Sequence, residues 1–191
     1  MYHKQRIETP WGPSQTVENI ADGIDRITTA SHGGYRLSAD RLARVVQMFP
    51  RFRSYTGDGW YEEDCDWAIV ALVFTDHFDS ATLRGAVRTV AWNVKPSKYN
   101  PTSDAGWASI SDWLHSRGRG EWVMDRVRTF ERLHAAEWET VSMCTDGNGW
   151  MVWLTRVGDG ARRAVRFPGG GGPEKQFYTD AELTGLETVA A

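Results

Sequence analysis

A chain of 191 residues with 25% charged residues and a net charge of −3 is long enough to bury its own core without disulfide or metal staples. The weakly acidic balance excludes a sequence-indifferent nucleic-acid binder with a basic field, and it is too small for an acidic surface that mimics DNA. Two cysteines, a polar N-terminus and the lack of any run of about 18 uncharged apolar residues fit a cytoplasmic protein with reduced thiols and no membrane partner.

Taken in chain order, residues 15–29 predict two short strands around the turn Ala21-Asp22-Gly23. His32-Gly33-Gly34 then breaks the pattern. Ser38 suits the N-cap of a helix over Ala39–Met48 that Pro50 ends, with Leu42, Val45, Val46 and Phe49 on one face. After a loop at 54–59 comes the apolar run Trp67–Phe74, preceded by Glu62, Glu63 and Asp64. Acids in a first helical turn are favoured by the macrodipole, whereas alternation in a strand would crowd Glu62, Asp64 and Asp66 on one face. The expectation is therefore a helix over 61–74 with Gly59 as N-cap.

A further helix is expected over 80–92, capped by Asp79 or Ser80, with Leu83, Val87, Val90 and Ala91 inward. The proline-bearing segment 95–106 reads as a linker between a motif-bearing α+β region (1–94) and a second region (107–191). Beyond it, a short helix at 109–116 and a longer one at 121–137 are expected, the latter with Val123, Val127, Phe130 and Leu133 in one stripe. Trp138–Cys144, Trp150–Val157 and Ala161–Phe167 are separated by Asp146-Gly147-Asn148-Gly149 and Gly158-Asp159-Gly160, which predicts a three-stranded antiparallel meander. Thr179-x-x-Glu182 is a capping-box pattern for a final short helix. The fold class is thus α+β: an N-terminal β-hairpin with helices, then a helix and the meander.

Two islands hold chemistry-bearing side chains. In WYEEDCDW (60–67), four acids fall within five positions, framed by Trp60, Tyr61 and Trp67. In Ser31-His32-Gly33-Gly34 a tight turn presents an imidazole. Carboxylates with a histidine suit a divalent metal, so His32, Glu62, Glu63 and Asp66 are the candidate ligands and His32, Glu62, Glu63 and Asp64 the candidate acid/base groups. The competing account needs no chemistry: acids begin a helix, and the glycines make a turn. Cys65 sits among negative charges, which oppose thiolate formation, so no nucleophile pair with His32 is expected. The glycine tract 169–172 lacks the ending of a phosphate loop. Arg156, Arg162, Arg163 and Arg166 are split between faces by strand alternation. Ten tryptophans exceed the needs of one core, and Trp60, Tyr61, Trp67, Ser31, Gly33, Gly34 and Tyr35 are the candidate binding surface.

The segments Thr9–Gln15, Thr29–Leu37 and Gly59–Ala68 together resemble the hallmarks of an uncharacterised domain encoded by bacteriophages, prophages and plasmids. The resemblance covers roughly residues 8–80. It implies a mobile-element protein that binds and inhibits a host or defence protein, of anti-restriction or anti-CRISPR type, and carries over no known active site. On that reading no cofactor is needed. The alternative is a metal-dependent hydrolase or nuclease using His32 and Glu62, Glu63 and Asp64.

Overall fold

The computed structural model describes residues 6–189 apart from 55, 58, 96–104, 117–121, 146, 169–172 and 174. The mixed helix and sheet architecture is α+β. The chain divides into two compact units, 1–127 and 128–191, so the division falls later than the expected linker at 95–106, most of which lies outside the described residues.

The first unit opens with a two-residue antiparallel pair, β1 (Glu8–Thr9) and β2 (Gly12–Pro13). The expected hairpin follows as β3 (Thr16–Ala21) and β4 (Ile24–Thr28). It does not stand alone. β5 (Gly33–Leu37) and β6 (Trp60–Glu62) extend it to a four-stranded antiparallel sheet in the order β3-β4-β5-β6. Gly23 turns the hairpin at φ 73°, a region that glycine enters without steric cost.

Helix α1 (Ala39–Met48) starts where expected, with the Ser38 side chain accepting from the Arg41 N–H. Val45 and Phe49 are buried, but Val46 is 49% exposed and leaves the inward stripe. The helix expected over 61–74 is shorter. Trp60–Glu62 is a strand, and the helix α2 begins only at Trp67 and runs to Val73. Gly59, at φ 81°, belongs to the turn before β6 rather than to a helix cap. The strand also ends at Glu62, so Asp64 and Asp66 never share its face and the crowding argument against a strand loses its force.

All of Ala68–Val73 is buried. An apolar run without a polar face belongs in a helix surrounded on all sides, and α2 forms the centre of the first unit's core. Packed with it are α3 (Ser80–Asn93), α4 (Ala105–Ser116) and the start of α5 (Val123–Leu133). Fully burying a residue such as Ile69 or Leu72 contributes about 1.5–3 kcal/mol each. Asp79 caps α3 through the Thr82 N–H, while Ala91 faces outward. A 3-10 turn, Thr75–His77, links α2 to α3; Arg126 donates from its guanidinium to the carbonyls of Thr75 and Phe78 and ties α5 to that link. Leu133, expected in the buried stripe of α5, is 74% exposed.

The second unit contains β7 (Trp138–Thr145), β8 (Trp150–Arg156) and β9 (Arg162–Phe167), joined as the expected hairpins. The three-stranded meander is incomplete as a description. The two-residue strands β10 (Phe177–Tyr178) and β11 (Glu187–Thr188) flank it, giving five strands in the order β10-β7-β8-β9-β11. Strands so short carry no readable periodicity. Trp138, Val152, Leu154, Val165, Tyr178 and Leu183 form the core of this unit. The capping-box bonds form: the Thr179 N–H donates to Glu182 Oε2 at 2.8 Å and the Glu182 N–H to Thr179 Oγ1 at 3.3 Å. Turns replace the final helix, with Gly185 at φ 87° a few residues on. Among the described residues, no helix is long and apolar enough to cross a membrane.

Candidate functional site

The two motif islands meet. β5 pairs with β6 in the register Gly34↔Glu62, Tyr35↔Tyr61 and Arg36↔Trp60. The Glu63 N–H then donates to the Gly33 carbonyl at 3.0 Å, which carries the contact one residue past the strand. On the other side, Thr29 holds the turn that presents His32. Its hydroxyl donates to the His32 carbonyl at 2.8 Å and accepts from the His32 N–H at 3.1 Å. His32 is therefore fixed at its backbone while its side chain stays about half exposed.

The glycines are required by close approach. A Cβ on Gly34 would collide with the Tyr61 carbonyl and the Trp11 ring. On Gly33 it would come within 2.5 Å of Glu63 Oε2 and 3.0 Å of the Ile27 carbonyl. The glycines thus let β6, the Trp11 ring and the Glu63 carboxylate lie against β5.

At the end of the sheet this brings His32, Glu62 and Glu63 together, with one ligand atom from each lying within 4.8 Å of the others. Glu62 is nearly buried, at 9% exposure. Its Oε2 accepts from the Asp64 N–H at 2.7 Å, and its Oε1 lies 3.5 Å from His32 Nδ1. One carboxylate oxygen is held by the backbone and the other is turned to the imidazole. Neighbouring ligand atoms about 2.0–2.3 Å from one cation are separated by roughly 3–4 Å. His32 Nδ1 and Glu62 Oε1 at 3.5 Å meet that spacing, and the trio as a whole could close on a divalent cation by side-chain movement of up to about an ångström. Imidazole with two carboxylates suits Mn²⁺ or Zn²⁺ better than Ca²⁺.

The remaining candidates fall elsewhere. Asp64 contributes its backbone N–H to Glu62, and its side chain is not part of the trio. Asp66 is 3% exposed and accepts from the Cys65 thiol at 3.5 Å; it too lies outside the trio. Burial, reinforced by the Asp66 charge, pushes the Cys65 thiol up to about 12. That agrees with an unreactive Cys65, since the thiolate is the nucleophile. The same two causes raise the Tyr61 hydroxyl to about 12. Tyr61 is 2% exposed and a core residue. Trp67 packs on the core of the first unit and lies over Gly85. Tyr35 meets Phe78 edge-on at 5.6 Å, and Ser31 is exposed in the turn.

Trp60 is partly exposed and has company that the sequence reading missed. Trp11 packs edge-on to it at 5.7 Å, and the Arg36 guanidinium lies 5.4 Å from its ring centroid. Both residues stand inside the quoted motif segments, and strand alternation puts Arg36 opposite Trp60 once β6 is recognised as a strand. Three of the four basic strand residues of the second unit, Arg156, Arg163 and Arg166, are engaged structurally. Arg156 pairs with Asp159, Arg166 with Glu187, and Arg156 and Arg163 lie over the Trp138 ring. The glycine tract 169–172 lies outside the described residues.

A family described as a domain of unknown function, DUF7007, matches residues 4–135. The chain belongs to this family. The match contains all three motif segments and extends well past the region 8–80 over which the resemblance was read. No curated protein and no solved structure matches the chain. Within the DUF7007 match lie the four-stranded sheet and all three members of the trio.

Proposed function

We propose that this DUF7007 protein is a divalent-metal-dependent hydrolase whose cation is held by His32, Glu62 and Glu63. The observation that supports it is the convergence of two separate motif segments on one imidazole and two carboxylates within 4.8 Å of one another. Three protein ligands leave coordination positions open, as catalytic metal sites require. A divalent cation held there would supply Lewis acidity for hydrolysis. The chain's own contribution is orientation: the Asp64 N–H fixes the Glu62 carboxylate, Thr29 fixes the His32 backbone, and Gly33 admits Glu63. Hydrolysis of bis-p-nitrophenyl phosphate with Mn²⁺, with Zn²⁺ and with EDTA tests the reading. Metal-dependent turnover lost in Glu62→Gln supports it; equal turnover in that variant overturns it.

A second reading is that the protein binds and inhibits a host or defence protein in the host cytoplasm, as a mobile-element accessory factor of anti-restriction or anti-CRISPR type. The observation that favours it is Trp92 on α3, 78% exposed, since exposed tryptophans are frequent binding anchors. Capture from host lysate by the wild type, lost in Trp92→Ala and in a Trp60 variant of unchanged stability, would favour this reading. Capture that neither change affects would count against it.

A further inference from the structure

Side chains of cross-strand partners share a face of the sheet, and so do residues i and i+2 along one strand. The register Gly34↔Glu62 and Arg36↔Trp60 therefore puts Arg36, Trp60 and Glu62 on one face. Arg36 and Trp60 stand one step of the ladder away from the trio, roughly 7 Å along the strands. Gly34 leaves that face open between them and the Trp11 ring covers it, so Trp11, Trp60 and Arg36 form the wall beside the trio.

Arg36 is exposed and is held over the Trp60 ring. The carboxylate facing it across the ladder is Asp25, and Asp25 accepts from the Asn19 side chain at 2.9 Å. Among the described residues, Arg36 forms no ion pair. A guanidinium stacked on an indole, in no ion pair among the described residues and one ladder step from two carboxylates and a histidine, is suited to a phosphate that bridges it to a cation. The partly exposed indoles beside it offer a stacking surface for a planar base.

Resting on the metal-site reading above, we propose that this face binds a nucleoside phosphate, with Arg36 on the phosphate, Trp60 and Trp11 against the base, and the trio's cation on the phosphate's far side. One guanidinium and a net charge of −3 match a small phosphate ester and not a polynucleotide backbone, which is bound through many basic contacts.

The test is calorimetric titration of the Mn²⁺-loaded protein with thymidine 5′-monophosphate, thymidine and a 15-nucleotide oligothymidylate, repeated with Arg36→Gln and Arg36→Lys. Saturable binding of the monophosphate, not of thymidine, is expected. Arg36→Gln should weaken it roughly 10- to 100-fold, the loss of one charge-assisted contact, with Mn²⁺ affinity unchanged; Arg36→Lys should recover part of it. Thymidine binding as tightly as its monophosphate, unchanged affinity in Arg36→Gln, or Arg36-dependent binding of the oligonucleotide without the monophosphate would each overturn the proposal. Failure of Mn²⁺ to bind in the first place would instead overturn the metal site on which it rests, so the two failures are distinguishable. Because Arg36 is exposed, thermal melts of both variants should match the wild type.

Discussion

Replacing Gly34 by alanine places one methyl group where β5 and β6 touch. The new Cβ would run into the Tyr61 carbonyl on the neighbouring strand and the Trp11 ring above it. The Trp11 ring can swing away, but the carbonyl is backbone and belongs to a residue 2% exposed in the core. The ladder must therefore open at Gly34↔Glu62. Forcing a methyl into packed structure costs about 1–3 kcal/mol. At ~2–4 °C per kcal/mol for a chain of this size, the expected fall in Tm is roughly 2–12 °C, read by circular dichroism. Gly33→Ala makes a useful contrast. Its Cβ first meets the Glu63 carboxylate, the far end of a flexible side chain, and then the Ile27 carbonyl at 3.0 Å. It should lower Tm less but displace Glu63 and weaken Mn²⁺ binding more than its stability loss explains. A Gly34→Ala protein that melts with the wild type, and binds Mn²⁺ as the wild type does, would refute the pairing of the two motif segments.

Native alkylation with iodoacetamide should label the exposed Cys144 and spare Cys65, whose thiol is held neutral up to about pH 12 by burial and the Asp66 charge; rapid labelling of Cys65 would contradict its environment. At high pH the first unit should weaken. Tyr61 keeps its proton in the folded state up to about 12 while the unfolded chain loses it near 10, so the unfolded state binds fewer protons and stability falls as pH rises between those values. The share of that fall due to Tyr61 is up to about 3 kcal/mol; the Cys65 thiol, also raised to about 12, contributes with the same sign, so Tyr61→Phe should reduce the fall without abolishing it in urea titrations at pH 9 to 12. The second unit should weaken in acid. The Arg156 guanidinium holds Asp159 down to about 2, and Lys175 with the Thr179 N–H does the same for Glu182. Depressed carboxylates give stability that is present above their unfolded values near 4 and is lost as pH falls toward 2, so Asp159→Asn and Glu182→Gln should flatten the acid limb.

Local chemistry made several elements legible in the sequence. Ser38 and Pro50 delimit α1, Asp79 caps α3, and glycine turns mark β3–β4 and β7–β8. The meeting of Ser31–Gly34 with Trp60–Glu63 was also legible as two islands with a shared need. What could not be read was decided by tertiary contact. Glu62 to Asp64 looks like a helical first turn because the macrodipole favours acids there. Pairing of Trp60–Glu62 with β5 overrides that local preference, and only a partner strand with two glycines permits it. Val46, Ala91 and Leu133 keep helical spacing yet point to solvent, since periodicity names a face and not how far the cover over it extends. β10 and β11 are set by their neighbours alone. Arg36 lies opposite Trp60 because Trp60–Glu62 pairs as a strand, a pairing that the local sequence does not signal.

The central claim is that His32, Glu62 and Glu63 hold one divalent cation. Calorimetric titration of the purified protein with Mn²⁺, alongside His32→Ala and Glu62→Gln, tests it most directly. One equivalent bound by the wild type, accompanied by stabilisation of about 2.7 kcal/mol at a hundredfold excess over Kd and lost in both variants, is the predicted result. No saturable Mn²⁺ or Zn²⁺ binding, or binding that both variants retain, would contradict it.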